Sequence, residues 1–311
     1  MMDFITAWLA NTPEAAAAYA LAALGLLICE RAGVLNLAAE GLMLVGAMAA
    51  IGASLQLGGP PIAAMACAML ATAAVSILFA VLVVTLRVNQ VISGLAVVFF
   101  CQGFTQLAGT LMDWQNHPVG GLLPLRIPVL ADIPVIGRIL FEQHAVIYLT
   151  LPIFALVHHL LFRSIGGLRL RAVGENPAAA DAAGVNVPRV RYAAILSGSA
   201  LIGLAGALLS VGGVKMWFPD MTNGRGWIAV ALVIFARWQP WRALAGALLF
   251  GCIESLIPRI AAAGIRVPQY FMLMTPYVVT LGVMVWTAMA KNARHSEPGA
   301  LGTAYSREER H

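Results

Sequence analysis

Three groups of polar side chains interrupt an otherwise apolar sequence at spacings that could do chemistry. Asn36 and Glu40 stand four residues apart in "NLAAEG", just after Glu30 and Arg31. Side chains at that spacing share one face of a helix. A charge inside a membrane span is costly unless paired or solvated. These residues could therefore line a solute path, or satisfy the open backbone of a broken helix while Glu30 and Arg31 snorkel to an interface. Asn89, Gln90 and Ser93 open the fourth apolar run, near 90–112, and Gln102 and Gln106 lie further along it, again four apart. They fit hydrogen bonding between helices or a polar stripe facing a translocation cavity. Glu254 is an isolated acid in "LLFGCIESLIPRI", with Arg259 as a candidate partner five residues on. A proton relay there would need further acids or histidines, and none accompanies it.

Other chemistries lack their residues. No G-x-x-x-x-G-K-[ST] occurs, so the chain has no phosphate-cradling loop of that kind. The four cysteines (Cys29, Cys67, Cys101, Cys252) lie singly in apolar runs, which supports neither a disulfide framework nor a zinc site. His158 and His159 are adjacent and point to different faces, and no H-E-x-x-H is present. The pattern offers no metal ligand set, and no nucleophile–base pair for a membrane enzyme.

The elements that must position these groups are membrane helices. Of the 311 residues, 60% are hydrophobic and only 11% charged, with a mean hydropathy of +0.85. Soluble domains carry roughly 25% charged residues, so most of this surface must face lipid. The net charge of +5 does not indicate nucleic-acid binding, because the arginines are scattered through connections rather than gathered in a stripe. The N-terminal stretch lacks the features of a cleaved signal peptide. A ruler of about 20 apolar residues per crossing predicts spans near 14–29, 33–56, 61–86, 90–112, 144–163, 190–213, 226–237, 241–262 and 270–290. The fold expected is an all-α polytopic bundle of about nine spans, with eight or ten possible. Residues 1–290 form one transmembrane domain, and the polar tail 291–311 is expected to be disordered.

Orientation follows from the basic residues. If residues 163–191 are cytoplasmic, so are Arg31, Arg87, Arg237, Arg242 and the tail. That places about 13 of the 19 lysines and arginines inside, the bias known as the positive-inside rule. The C-terminus is then cytoplasmic, in a multi-pass protein of the cell (inner) membrane.

The 163–191 loop carries five arginines around a small alanine-rich segment. Asn176 suits an N-cap, Pro177 the first helical position, and Gly184 the left-handed residue after the end. Ala179, Ala180 and Asp181 lie between, with Glu175 adding negative charge before the start. Two turns are marginal alone in water, and membrane-surface helices carry large apolar side chains that this one lacks. A smooth helix of methyl groups is a peg that docks on a cytoplasmic protein.

"ERAGVLNLAAEGLMLVGA" (30–47), "RVNQVISGLAVVFF" (87–100), "RAVGENPAAADAAGVNV" (171–187) and "GWIAVALVIFARWQPWRALAGALLFGCIESL" (226–256) occur in this order. Together they resemble the permease subunits of ABC importers in the branched-chain amino acid, ribose and nucleoside family, most closely the nucleoside branch. The resemblance implies that 175–184 is the helix through which separate ATP-binding subunits drive transport. It also implies a second permease chain and an extracytoplasmic substrate-binding protein. ATP and magnesium would sit on the partner subunits, with no cofactor on this chain. A nucleoside or sugar-like solute is the cargo so implied, with a branched-chain amino acid permease or a self-contained secondary transporter as alternatives.

Overall fold

The computed structural model describes residues 2–128, 130–133, 135–262 and 297–306, with isolated positions between 274 and 285. The chain opens with α1 (Met2–Arg31), α2 (Ala39–Leu57), α3 (Pro61–Ala80) and α4 (Gln90–Leu111). A small sheet follows, β1 (Pro124–Arg126) paired antiparallel with β2 (Glu142–His144), with α5 (Ile136–Leu140) between them. Then come α6 (Ala145–Arg163), α7 (Ile165–Glu175), α8 (Pro177–Ala182), α9 (Val187–Ala207), α10 (Arg225–Phe235) and α11 (Pro240–Ala262). Single π-helical stretches, Val81–Thr85 and Leu208–Val214, prolong α3 and α9.

Seven of the described helices are long and apolar enough to cross a membrane, and α10 is a shorter apolar helix of 11 residues. The expected first span 14–29 is the second half of a longer helix that begins near Phe4. The expected seventh span, 226–237, is α10. The expected ninth, 270–290, lies outside the described residues apart from isolated positions; the described residues hold seven full-length helices and a short one. The strand pair corrects the all-α expectation in one place. It arises because residues 113–143, with four prolines, cannot continue a helix and instead fold back as a strap on α1, where the Gln143 amide donates to the Ala10 carbonyl at 2.8 Å.

The centre of the bundle is α1, buried from Ala16 to Glu30, with α9, α10 and α11 packed around it, and α2 packs on α9. Small residues set those distances. Gly25 of α1 faces Gly198 of α9, and Gly46 of α2 faces Gly203 of α9, each so closely that a methyl group would overlap the opposing backbone. The Gly203/Gly206 face is thus a seam inside this chain, where backbones approach as small residues allow.

Two ends of the bundle are distinct. At one, Arg31, α7, α8 and the first turns of α4, α9 and α11 meet. At the other lie the sheet, the start of α1 and the end of α11. Residues 297–306 sit at the first end, where the Ala300 N–H donates to the Gly174 carbonyl at 2.8 Å. Their backbone finds partners on α7 and α9, which a polar composition does not reveal.

Candidate functional site

The first polar group is consumed locally. Asn36 and Glu40 are buried, 0% and 4% exposed. The chain breaks between α1 and α2, and Asn36 repairs part of that break by accepting the Ala38 N–H at 3.1 Å. Glu40 does more. Its carboxylate accepts from the Thr222 hydroxyl at 2.6 Å and from the Gly224 and Gly226 N–H groups at 2.8 and 2.6 Å. These donors open α10, so the carboxylate satisfies a helix N-terminus and lies at the positive end of its dipole. Gly226 leaves no room for a side chain beside the Glu40 backbone. The glycines of "NGRG" admit the carboxylate. No sequence spacing shows this pairing.

Glu30 accepts from the Trp238 indole at 2.5 Å, and the Arg31 guanidinium donates twice to the Trp238 carbonyl at 2.9 and 3.1 Å. Arg31 and Arg171 both lie over the Phe162 ring, 5.7 and 5.2 Å from its centroid. These arginines stitch helix ends together as well as biasing topology. Glu254 pairs with Arg225, its Nε at 3.0 Å, and not with Arg259. The sequence neighbour was the wrong one because α11 carries Arg259 toward the far end, beside Glu14 and His144.

On α4, Asn89 is the N-cap, accepting from the Val91 and Ile92 N–H groups. Gln90 bridges elements: its carbonyl takes the Leu35 N–H at 2.7 Å while its amide reaches Thr303 O at 3.4 Å. Ser93 is buried. Gln102 is half-buried, and Gln106 is exposed with its amide 3.4 Å from Asp220. The stretch of α4 from Phe99 to Leu107 presents Phe99, Phe100, Gly103, Phe104, Gln106 and Leu107 on its open surface, with Phe100 and Phe104 stacked at 5.9 Å.

The α8 peg carries both end signals read from the sequence. The Asn176 side chain accepts the Ala179 N–H at 3.0 Å. Gly184 sits at φ +82°, and the Val185 N–H returns to the Ala180 carbonyl at 3.0 Å, closing the helix as a left-handed residue requires. The alanines divide between two faces. Ala180 is 4% exposed and packs with Val173 and Val187. Ala178, Ala179, Ala182 and Ala183 are exposed, with Glu175, Asn176 and Gly184 around them. Pro177 and Asp181 are half-buried. Inner alanine anchors, outer alanines offer a surface.

Residues 9–287 match the family described as "Branched-chain amino acid transport system / permease component". The chain belongs to this family. The permease is 37% identical to the "Putative glucose ABC transporter permease protein" of Haloferax volcanii, over 99% of both chains. It is 34% identical to the guanosine ABC transporter permease of Bacillus subtilis, over 86% of this chain and 87% of the relative. A nucleoside ABC transporter permease of Lactococcus lactis is 32% identical over 84% of this chain and 86% of its own. No solved structure matches the permease. It is a multi-pass membrane component of an ABC transporter, a transport subunit rather than an enzyme.

Proposed function

We propose that this permease admits a nucleoside or related sugar-like solute, and that ATP hydrolysis on separate subunits reaches it through the outer face of α8. The observation that carries the proposal is the division of α8. The helix is capped at both ends and anchored by Ala180, yet Ala178, Ala179, Ala182 and Ala183 stand free. Methyl groups permit close approach without the entropy cost of ordering long side chains. An isolated surface helix has no need of such a face.

ATP-binding subunits with their ATP and magnesium, a second permease chain and an external substrate-binding protein complete the transporter under this reading. The α8 end and the C-terminus face the cytoplasm, as the basic residues clustered there indicate. On α4, Gln102 and Gln106 remain the best pathway candidates, because Asn36, Glu40, Asn89 and Gln90 already serve backbone groups. Amide groups flanked by open phenylalanine rings suit a neutral polar solute with an aromatic or sugar face. Selectivity then rests mostly with the external binding protein, since a path must hold its cargo weakly enough to release it.

The test is uptake into proteoliposomes holding the complete transporter and loaded binding protein. ATP-dependent entry of a labelled nucleoside, competed by unlabelled nucleoside and not by leucine, is the expected result. Solute flux by this chain alone, driven by a proton or sodium gradient, overturns the proposal.

A further inference from the structure

The segment 297–306 is hydrogen-bonded to α7, to α9 and to the start of α4. The Ala300 N–H donates to Gly174 O at 2.8 Å and the Gly299 N–H to the Glu175 carboxylate at 3.2 Å, so the segment is fastened to the end of α7, directly before α8. Three residues on, the Thr303 carbonyl receives the Arg191 guanidinium of α9 at 3.1 Å and the Gln90 amide of α4 at 3.4 Å. Gln90 in turn holds Leu35 N–H, in the break between α1 and α2. Arg87 reaches Ser306 at 2.9 Å, and Tyr305 packs on the Val173, Ala180 and Val187 cluster beneath α8.

Arg191 shows how firmly this segment belongs to the fold. It is 2% exposed, and among the described residues the Thr303 carbonyl is the one hydrogen-bond acceptor its guanidinium finds. A buried cation without acceptors is costly, so the site needs that carbonyl. The segment also lies on the inner side of α8, leaving the outer methyl face open. It does not occupy the surface that a docking subunit would use.

We propose that residues 297–306 act as a rigid strap, which ties the α8 peg to the first turns of α4 and α9 and to the α1–α2 break, so that displacement of the peg is delivered to those helix ends. This rests on α8 being the docking peg. Thr303 O is the node, and Arg191 and Gln90 are positioning residues that act through it. The strap stays attached during transport, because its contacts are to the elements it moves. It is a linkage rather than a latch that must open.

The experiment uses the complete transporter in proteoliposomes and reads three quantities: ATP-binding subunits retained on purification, ATPase stimulated by loaded binding protein, and solute imported per ATP hydrolysed. A chain ending at Ser296 should keep its ATP-binding subunits and hydrolyse ATP, while import per ATP falls at least tenfold. Arg191→Lys, which keeps a cation able to donate to Thr303 O, should recover more import per ATP than Arg191→Met. In the converse test, Arg87→Cys with Ser306→Cys, bridged by a short bifunctional thiol reagent, should import within about twofold of the unbridged protein. Wild-type import per ATP by the shortened chain overturns the strap, and so does loss of import on bridging. Should the shortened chain fail to accumulate, the bridged protein still decides. Loss of the ATP-binding subunits from an α8 outer-face variant tests the docking reading separately, so the two failures are distinguishable.

Discussion

The joint between α2 and α10 and the exposed α8 peg are both places where helices stop and polar residues gather, yet they end in opposite conditions. At the first, Glu40 spends both carboxylate oxygens on three donors opening α10, and nothing polar is left over. At the second, Asn176 and Gly184 close a six-residue helix and leave a face that satisfies nothing inside the chain. A charged residue in an apolar sequence drew attention as a possible path. The alanines were the quieter signal, and they are what remains open. Unspent surface, rather than polarity, separates a site from a joint.

Glu40→Ala strands three donors at roughly 1–3 kcal/mol each, so the variant should fail to accumulate in the membrane or should unfold far more readily in detergent. Glu40→Gln, which keeps one acceptor, should accumulate partially. Normal accumulation and stability of the alanine variant would show that the carboxylate is not structural.

Next in size is the Arg225–Glu254 pair, which anchors the start of α10 to α11. Removing one partner of a buried pair costs roughly 3–5 kcal/mol, and these side chains, 24% and 22% exposed, belong near the lower figure. Arg225→Leu should lower the detergent unfolding temperature clearly. Adding Glu254→Leu should recover part of the loss, since an apolar pair leaves no stranded carboxylate. A double variant worse than the single one would assign the pair a role beyond anchoring.

At the peg the effects on stability are smaller and those on coupling larger. Gly184→Val forces a β-branched residue to φ +82°, a strain of about 1–3 kcal/mol confined to the loop. Membrane accumulation should be unchanged while ATPase stimulation drops severalfold. Asn176→Ala removes a cap worth about 1 kcal/mol. A partial loss of stimulation with full accumulation is expected, and Asn176→Asp should restore it. Equal behaviour of the alanine and aspartate variants would place no weight on the cap.

How much of this was legible in the sequence depended on how far apart the partners are. The ends of α8 were readable because capping is local: Asn176 finds Ala179 three residues on. The membrane helices followed from apolar run lengths, the short α10 included, although the early start of α1 did not, since tertiary partners set that end. Glu40 was visible as an anomaly but its purpose was not, because its partners lie 182 to 186 residues away. Glu254 suggested a neighbour at five residues, whereas its true partner is 29 residues back on another helix. The contacts of residues 297–306 were hidden for the same reason. The segment's polarity signals solvent, but Thr303 meets Arg191 at a separation of 112 residues. Ala180 is the sharpest case: in sequence it is one alanine of several, and only the packing of Val173 and Val187 shows that it faces inward.

That last point selects the measurement that tests docking at α8 most directly. A long charged side chain at Ala180 would disrupt the loop itself, whereas Ala182 is exposed and its neighbours leave the fold untouched. Ala182→Arg should reach the membrane at wild-type levels with an unaltered unfolding temperature. On purification it should shed its ATP-binding subunits, or keep them with an ATPase that no longer responds to loaded binding protein. Full retention of those subunits, full stimulation and wild-type uptake by Ala182→Arg would contradict the account and leave α8 as an ordinary surface helix.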